Sequence, residues 1–312
     1  MNNQQAFLRF KEILESRRAA HDPQRDIRNH VISLFDRKVG FGYIAAGLEK
    51  NFGANIRNVF KHAVAANEQG IDAADAYFLS GTIYQQPEHS HKGGVRMLNA
   101  ASLSAETLFF EASFLATTHS WAHSFQESNP AYACLGYVYD DIAHYFMADY
   151  PNRIIEKLNS DETLSETERQ RAQGLIQRIV SQRISKYNAQ PMIAPSMTEG
   201  YARRVLVCDQ AYADASTIYG KVGDAEFERM LLAAVTENPD AEVLVKTHPD
   251  SVWDKNDRKG YYSHLKSTGR VRLLREPVNP YTLFDLVDTV YVGTSQMGLE
   301  ALFAGKKVVT FG

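Results

Sequence analysis

Residues 241–250 read AEVLVKTHPD, an apolar run that stops abruptly on Lys246, Thr247, His248, Pro249 and Asp250. An unbroken stretch of aliphatic residues this short reads as a strand buried on both faces. Neighbouring segments explain the lysine and histidine at its end. Upstream, RVLVCDQ (204–210) is a similar run, and DAEFERMLLAAVTENP (224–239) is an amphipathic helix between the two. Downstream come a third run, RVRLLREP (270–277), a short helix, PYTLFDLVD (280–288), and a fourth run, TVYVGTS (289–295). QMGLEALFAG (296–305) is then a helix ending on Gly305, and KKVVTFG (306–312) is a fifth run. Short runs alternating with helices predict a parallel sheet covered by helices, a Rossmann-like unit.

Ligands of such sheets bind beyond the carboxyl ends of the strands. That rule selects Lys246 and His248 after one run, Asp209 and Gln210 after another, and Gly293, Thr294 and Ser295 after a third. Gly293 permits close approach, Ser295 and the amides behind it offer donors to an anion, and Glu300 stands where it can reach back toward a ribose hydroxyl. The outline is a nucleotide pocket. With no Walker loop and no GxGxxG turn in the sequence, kinases, P-loop NTPases and dehydrogenases of the usual kind are poor candidates.

The 312 residues are 44% hydrophobic and 23% charged, with a formal net charge of -3, which describes a globular chain long enough for two domains and without the basic footprint of a nucleic-acid binder. Cys134 and Cys208 each sit in an apolar run and read as buried thiols of a cytosolic protein. MNNQQAFLRFKEILESRR at the start has no apolar core of a signal peptide, and no stretch is long enough to span a bilayer; a cytoplasmic protein is expected.

Residues 161–188 carry a helical period through Leu164, Ala172, Leu175, Ile176, Ile179 and Ile184, with either Thr163–Glu166 or Ser165–Glu168 capping the start. Pro191 and Pro195 break that pattern, so the boundary is placed between domains 1–190 and 191–312. In the first half, AADAYFLSG (73–81), ETLFFEASF (106–114) and ACLGYVYDD (133–141) read as strands, the second feeding Glu111 into a loop, and residues 40–70 read as a helical stretch with glycine turns. A second α/β domain facing the first across a cleft is expected. His89 and His91 stand in a polar, glycine-rich loop where histidines are usually solvated, and His119 and His123, at i,i+4, show no third ligand, so no metal site is expected.

RVLVCDQAYADASTIYG (204–220), LLAAVTENPDAEVLVKTHPD (231–250) and VYVGTSQMGLEALFAGKKVVTFG (290–312), together with the helical segment 154–188, resemble the capsular-polysaccharide β-Kdo transferases over roughly residues 105–312. The resemblance implies a GT-B-like fold of two Rossmann-like domains around a central cleft. It implies retaining transfer of Kdo from CMP-Kdo to a lipid-linked or oligosaccharide acceptor, without an obligatory metal or other cofactor. By the same resemblance, Asp214 in YADAS is the first candidate for the carboxylate at the anomeric carbon, Asp209 the second, and Glu111 the acceptor base, with Asp140 and Asp141 as rivals because Ala112 and Ser113 depart from the family pattern. Lys246, His248, Thr294, Ser295, Gln296 and Glu300 fall on the donor side. It further implies peripheral contact with the inner membrane or with other polysaccharide-synthesis proteins; members of that family usually continue, after the strand that ends at Gly312, into a Pro- and Trp-containing loop, so the sequence is either trimmed there or lacks that element. Three alternatives stand beside these readings: Asp214 as a simple cap before Ser216, a noncatalytic binding module of a larger synthase, and a transferase for another sugar nucleotide.

Overall fold

The computed structural model describes residues 3–42, 56–66, 68–79, 98, 106–119, 136–150, 152–251 and 259–312. Its contacts divide the chain into two compact units, Met1–Ala116 with Ser124–Asp161, and Thr117–His123 with Glu162–Gly312. Cys134, His89, His91 and His123 lie outside the described residues.

In the first unit, α1 (Asn3–Ala19) and α2 (Ile27–Ser33) precede β1 (Lys38–Phe41), β2 (His62–Ala65), β3 (Ala76–Leu79), β4 (Glu106–Ala112), β5 (Tyr137–Asp140) and α3 (Arg153–Leu158). The sheet order is β2-β1-β3-β4-β5, parallel except for antiparallel β5. The segment 40–70, expected to be helical, thus contributes the end of β1 and all of β2: Phe41 and Ala65 are fully buried, and an aromatic residue suits a sheet interior. Aromatic contacts fill this core, with Phe60 edge-on to Phe78 at 4.8 Å and Phe10 to Phe109 at 6.2 Å.

The second unit begins with α4 (Glu166–Ser181), shorter than the helix expected over 161–188. Of the two expected caps, Ser165–Glu168 forms: the Glu168 amide donates to Ser165 Oγ, and the Glu168 carboxylate accepts the Ser165 amide at 2.9 Å. Its buried residue, Ile179, packs with Leu206, Leu244 and Phe284. That packing groups residues 162–190 with the second unit, whereas the prolines pointed to a boundary at 190.

The remaining elements are β6 (Arg203–Cys208), α5 (Ala215–Tyr219), α6 (Asp224–Glu237), β7 (Ala241–Lys246), β8 (Val271–Leu274), α7 (Pro280–Phe284), β9 (Thr289–Val292), α8 (Met297–Phe303) and β10 (Lys307–Thr310). All five strands are parallel, in the order β10-β9-β6-β7-β8. Counted from the first strand of this unit, that is the order 3-2-1-4-5 of a doubly wound sheet. Strand alternation builds two cores: Leu206, Cys208, Leu244, Val290 and Val292 face α7 and α8, while Val205, Val207, Val243, Val245 and Tyr291 face Phe227, Met230 and Ala234 of α6. Cover on both faces is why the strands read as continuous apolar runs. Gly305, at φ 71°, ends α8 where its amide and that of Lys306 bond Leu302 and Ala301 carbonyls.

Candidate functional site

The strand order reverses between β6 and β9, the kind of switch point beside which doubly wound sheets bind their ligands. Asp209, Gln210, Thr294 and Ser295 all follow those two strands. The side-chain amide of Gln210 donates to Thr294 Oγ1 at 3.0 Å and accepts the Thr294 amide at 2.8 Å. The same Gln210 nitrogen lies 3.5 Å from Ser216 Oγ, and that hydroxyl donates to Asp214 Oδ1 at 2.8 Å. One hydrogen-bonded chain therefore joins Asp214, Ser216, Gln210 and Thr294.

Asp214 is the N-cap of α5, with Oδ1 also accepting the Ser216 amide at 3.0 Å. The residue before it, Ala213, has φ 54°, a left-handed conformation costly for alanine. The carboxylate is thus held in one direction by a cap and a strained turn. The capping alternative is therefore seen at Oδ1, and a role in chemistry is a separate proposal.

Asp209 is differently placed. It is 3% exposed, and its Oδ1 accepts the Gln210 amide at 2.9 Å and the Tyr262 amide at 3.2 Å. Burial pushes its pKa up from 3.8 to about 6, against the pull of the Tyr262 and Gln210 amides. A Cβ added at Gly260 would collide with this carboxylate, so the chain passes over Asp209 with only a glycine between. Asp209 is a buried brace between β6 and the 259–262 turn, whereas Asp214 is only half-buried.

Lys246, 7% exposed, turns its Nζ onto the Thr247 carbonyl at 2.9 Å, and burial lowers its pKa from 10.5 to about 8. His248 is half-buried and its Nδ1 accepts the Asp250 amide at 3.2 Å, so a neutral ring carries its proton on Nε2. The strand-end lysine and histidine that open the site are therefore a buried cation and an imidazole pinned by its own loop.

Ser295 Oγ accepts the Met297 amide at 3.3 Å and so serves the start of α8. Gln296 donates to Glu300 at 3.2 Å. Glu300 is 4% exposed and accepts the Ser185 hydroxyl at 3.1 Å and the Lys186 amide at 3.0 Å; burial raises its pKa, opposed by those bonds. Glu300, expected at a ribose hydroxyl, has its carboxylate bonded to the 185–186 segment, as an acid buried in the second turn of a helix needs internal donors.

In the first unit, Glu111 lies within β4 opposite Val138, rather than in a loop after the strand, and its Oε1 accepts the Ala112 amide at 2.9 Å. Asp140 pairs with Phe109, so the antiparallel β5 carries Asp140 and Asp141 toward the amino end of β4, away from its carboxyl rim. Arg153 grips Asp141 with two bonds of 2.6 and 2.9 Å, and Asp140 accepts the Ile142 and Arg153 amides at 2.8 and 2.9 Å. These bonds make the two rivals of Glu111 fasteners of α3 to β5. Among the described residues no three His, Cys, Asp or Glu side chains converge as metal ligands, and no helix is long and apolar enough to cross a membrane.

Sequence reasoning marked Gln210 by position alone and missed Ser216 and Gly260. The signal for Gln210 was its place two residues beyond β6; nothing local announces Gly260, whose partner is fifty-one positions earlier.

This geometry can be set beside known proteins. The chain is similar to the capsule polysaccharide modification protein LipA of Neisseria meningitidis serogroup B, 36% identical over 202 residues, which are 64% of this chain and 28% of LipA. It is 32% identical over 176 residues to the lipopolysaccharide-processing protein LpsZ of Rhizobium meliloti, covering 55% of this chain and 39% of that protein. It thus spans less than half the length of these curated relatives. Among solved structures, the Thermosulfurimonas dismutans KpsC β-Kdo 2,4 transferase superposes with TM-score 0.70 at 27% identity, over 88% of this chain and 79% of that one. The KpsC β-Kdo 2,7 transferase of the same organism shares the fold, with TM-score 0.54 at 17% identity. The profile of the capsule polysaccharide biosynthesis proteins matches residues 90–312, and the chain belongs to that family.

Proposed function

We propose that this chain is a retaining β-Kdo glycosyltransferase of capsule synthesis that moves Kdo from CMP-Kdo to a lipid-linked or oligosaccharide acceptor. The observation that carries the reading is the 27% identity and TM-score of 0.70 with the KpsC β-Kdo 2,4 transferase. The carboxyl rim of a doubly wound sheet, with a carboxylate held at its switch point, supplies a matching chemistry.

In this mechanism Asp214 attacks the anomeric carbon of Kdo, the bond from that carbon to the phosphate oxygen breaks, and CMP leaves with the electron pair. The acceptor hydroxyl then attacks the same carbon, displaces Asp214, and passes its proton to a base, for which Glu111 is the candidate. Two displacements restore the starting configuration. Lys246 and His248 Nε2 stabilise the charge that grows on the departing phosphate or the Kdo carboxylate, while Thr294, Ser295 and Gln296 line the donor side. The reading includes a GT-B-like fold. It uses side-chain charge in place of a metal. A cytoplasmic site of action, with peripheral contact at the inner membrane where lipid-linked acceptors sit, is part of the same proposal.

The test is incubation of the chain with CMP-Kdo and a synthetic Kdo-terminated glycolipid, followed by mass spectrometry of the product and repetition with Asp214→Asn. Product from the native chain and none from the variant supports the reading. Stabilisation by UDP or GDP and none by CMP in a thermal-shift screen would overturn the donor. The share of LipA covered, 28%, favours one second reading, a module that binds the nucleotide for a larger synthase; binding of CMP without transfer to any acceptor would select it.

A further inference from the structure

Backbone pairing between β6 and β9 ends before the rim. Val207 and Tyr291 are the last registered pair, so the chains that continue to Asp209–Gln210 and Gly293–Thr294 are released from one another at the switch point. The Gln210 side chain takes up the connection that the ladder drops. It is 6% exposed, its oxygen accepts the Thr294 amide at 2.8 Å, and its nitrogen donates to Thr294 Oγ1 at 3.0 Å. The backbone amide can only donate, so the orientation of the Gln210 amide is decided by its partners. Glutamate would lack the donor, asparagine the reach, and an aliphatic residue both functions.

Two further features fit the side chain to this place. A Cβ at Gly293 would lie 2.7 Å from the Gln210 oxygen, so glycine there leaves room for the clamp. On its other side Gln210 approaches Ser216 Oγ at 3.5 Å, and Ser216 bonds Asp214 through both hydroxyl and amide, at 2.8 and 3.0 Å.

We infer that Gln210 is a positioning residue, locking the Asp214 turn and the Thr294–Ser295 turn into one rigid arrangement at the switch point. The inference rests on the proposed transfer reaction, for which Asp214 supplies the carboxylate and Thr294 and Ser295 the donor side. Gln210 acts through these neighbours and does not itself meet substrate. Its loss shifts the carboxylate relative to the donor side without deleting a binding group, and misplacements near 1 Å cost about 100-fold in rate.

The experiment measures two quantities on the full chain with Gln210→Ala, Gln210→Glu, Thr294→Val and the Ala/Val double variant. Amide hydrogen exchange at Thr294 is expected to quicken at least about tenfold in Gln210→Ala, with the β6 amides unchanged. With CMP-Kdo, kcat is expected to fall about 10- to 100-fold while the donor KM stays within about threefold. The double variant is expected to lose less than the sum of the two singles, because Thr294→Val removes one of the two bonds that Gln210→Ala also removes. Should Gln210→Ala not fold, Gln210→Glu keeps the acceptor and loses the donor; it is expected to retain slow exchange at Thr294 and still lose kcat. Unchanged exchange in Gln210→Ala, or a raised KM with kcat intact, or additive losses, would overturn the inference. A native chain that transfers no Kdo sinks the proposed function alone, and exchange at Thr294 then decides whether the clamp exists.

Discussion

The Glu300 carboxylate receives the Ser185 hydroxyl at 3.1 Å to each of its oxygens, with the Lys186 amide at 3.0 Å on one of them. A helix of the second sheet is thereby tied to the segment that follows α4. The next residues of that segment meet the chain again: the Thr117 amide donates to the Lys186 carbonyl at 3.1 Å and the Asn188 amide to Thr118 at 2.8 Å. Glu300 anchors the place where two passes of the chain run side by side.

Glu300→Ala should therefore behave as a stability variant. It strands a buried hydroxyl and a backbone amide, a loss of about 1–3 kcal/mol in urea denaturation. Glu300→Gln retains one acceptor and should lose less. An effect on donor KM larger than the effect on stability would return Glu300 to the ribose.

Asp214→Asn separates capping from chemistry. Asparagine caps as well as aspartate, so its unfolding free energy should stay within about 0.5 kcal/mol of the native chain, while Asp214→Ala should lose about 1 kcal/mol. Transfer should fall by roughly 1,000-fold or more in both, since neither side chain can form the glycosyl ester. Activity that tracks stability instead would leave Asp214 as a cap.

Asp209 makes stability depend on pH. Its folded pKa, about 6, lies above the ordinary 3.8, so between those values the folded chain holds a proton that the unfolded chain has released. Its contribution is full below about pH 4 and is lost as the pH rises through 6. Asp209→Asn has no such dependence, so the stability of the native chain relative to the variant should drop by at most about 3 kcal/mol from pH 4 to pH 7. Urea midpoints at the two pH values check the sign, and a difference that rises with pH would contradict it.

Two glycines should respond in opposite directions to alanine. Gly174 lies within α4 with open space where a Cβ would go, so Gly174→Ala should stabilise by about 1 kcal/mol. Gly260→Ala drives a methyl into the Asp209 carboxylate and should destabilise by about 1–3 kcal/mol. Thermal unfolding of the pair measures both.

The second sheet was legible because burial on both faces leaves an unmistakable mark. Each apolar run from Val205 to Val309 became a strand, and each amphipathic segment between them a helix. The first half was harder to read: β1 and β2 are four residues each, and Val39, Gly40 and Phe41 form no pattern that separates a strand from a helix over so short a span. The start of α4 was legible to within two residues, with Thr163–Glu166 and Ser165–Glu168 both offered as caps, but its allegiance to the second unit depended on Ile179 meeting Leu206 and Phe284.

What the sequence by itself determined is therefore what depends on near neighbours: strand and helix type, the caps, the end of α8 at Gly305, and which residues follow each strand toward a rim. Periodicity and capping act within a turn or a pleat, so they are written in consecutive residues. Only the tertiary structure decided that Glu300 serves Ser185, that Gly260 roofs Asp209, that Arg153 holds Asp141, and that Gln210 spans from β6 to Thr294. Those partners stand 115, 51, 12 and 84 positions apart. A polar side chain's role is set by which donors and acceptors surround it once water is gone, and that company is assembled only when distant segments pack.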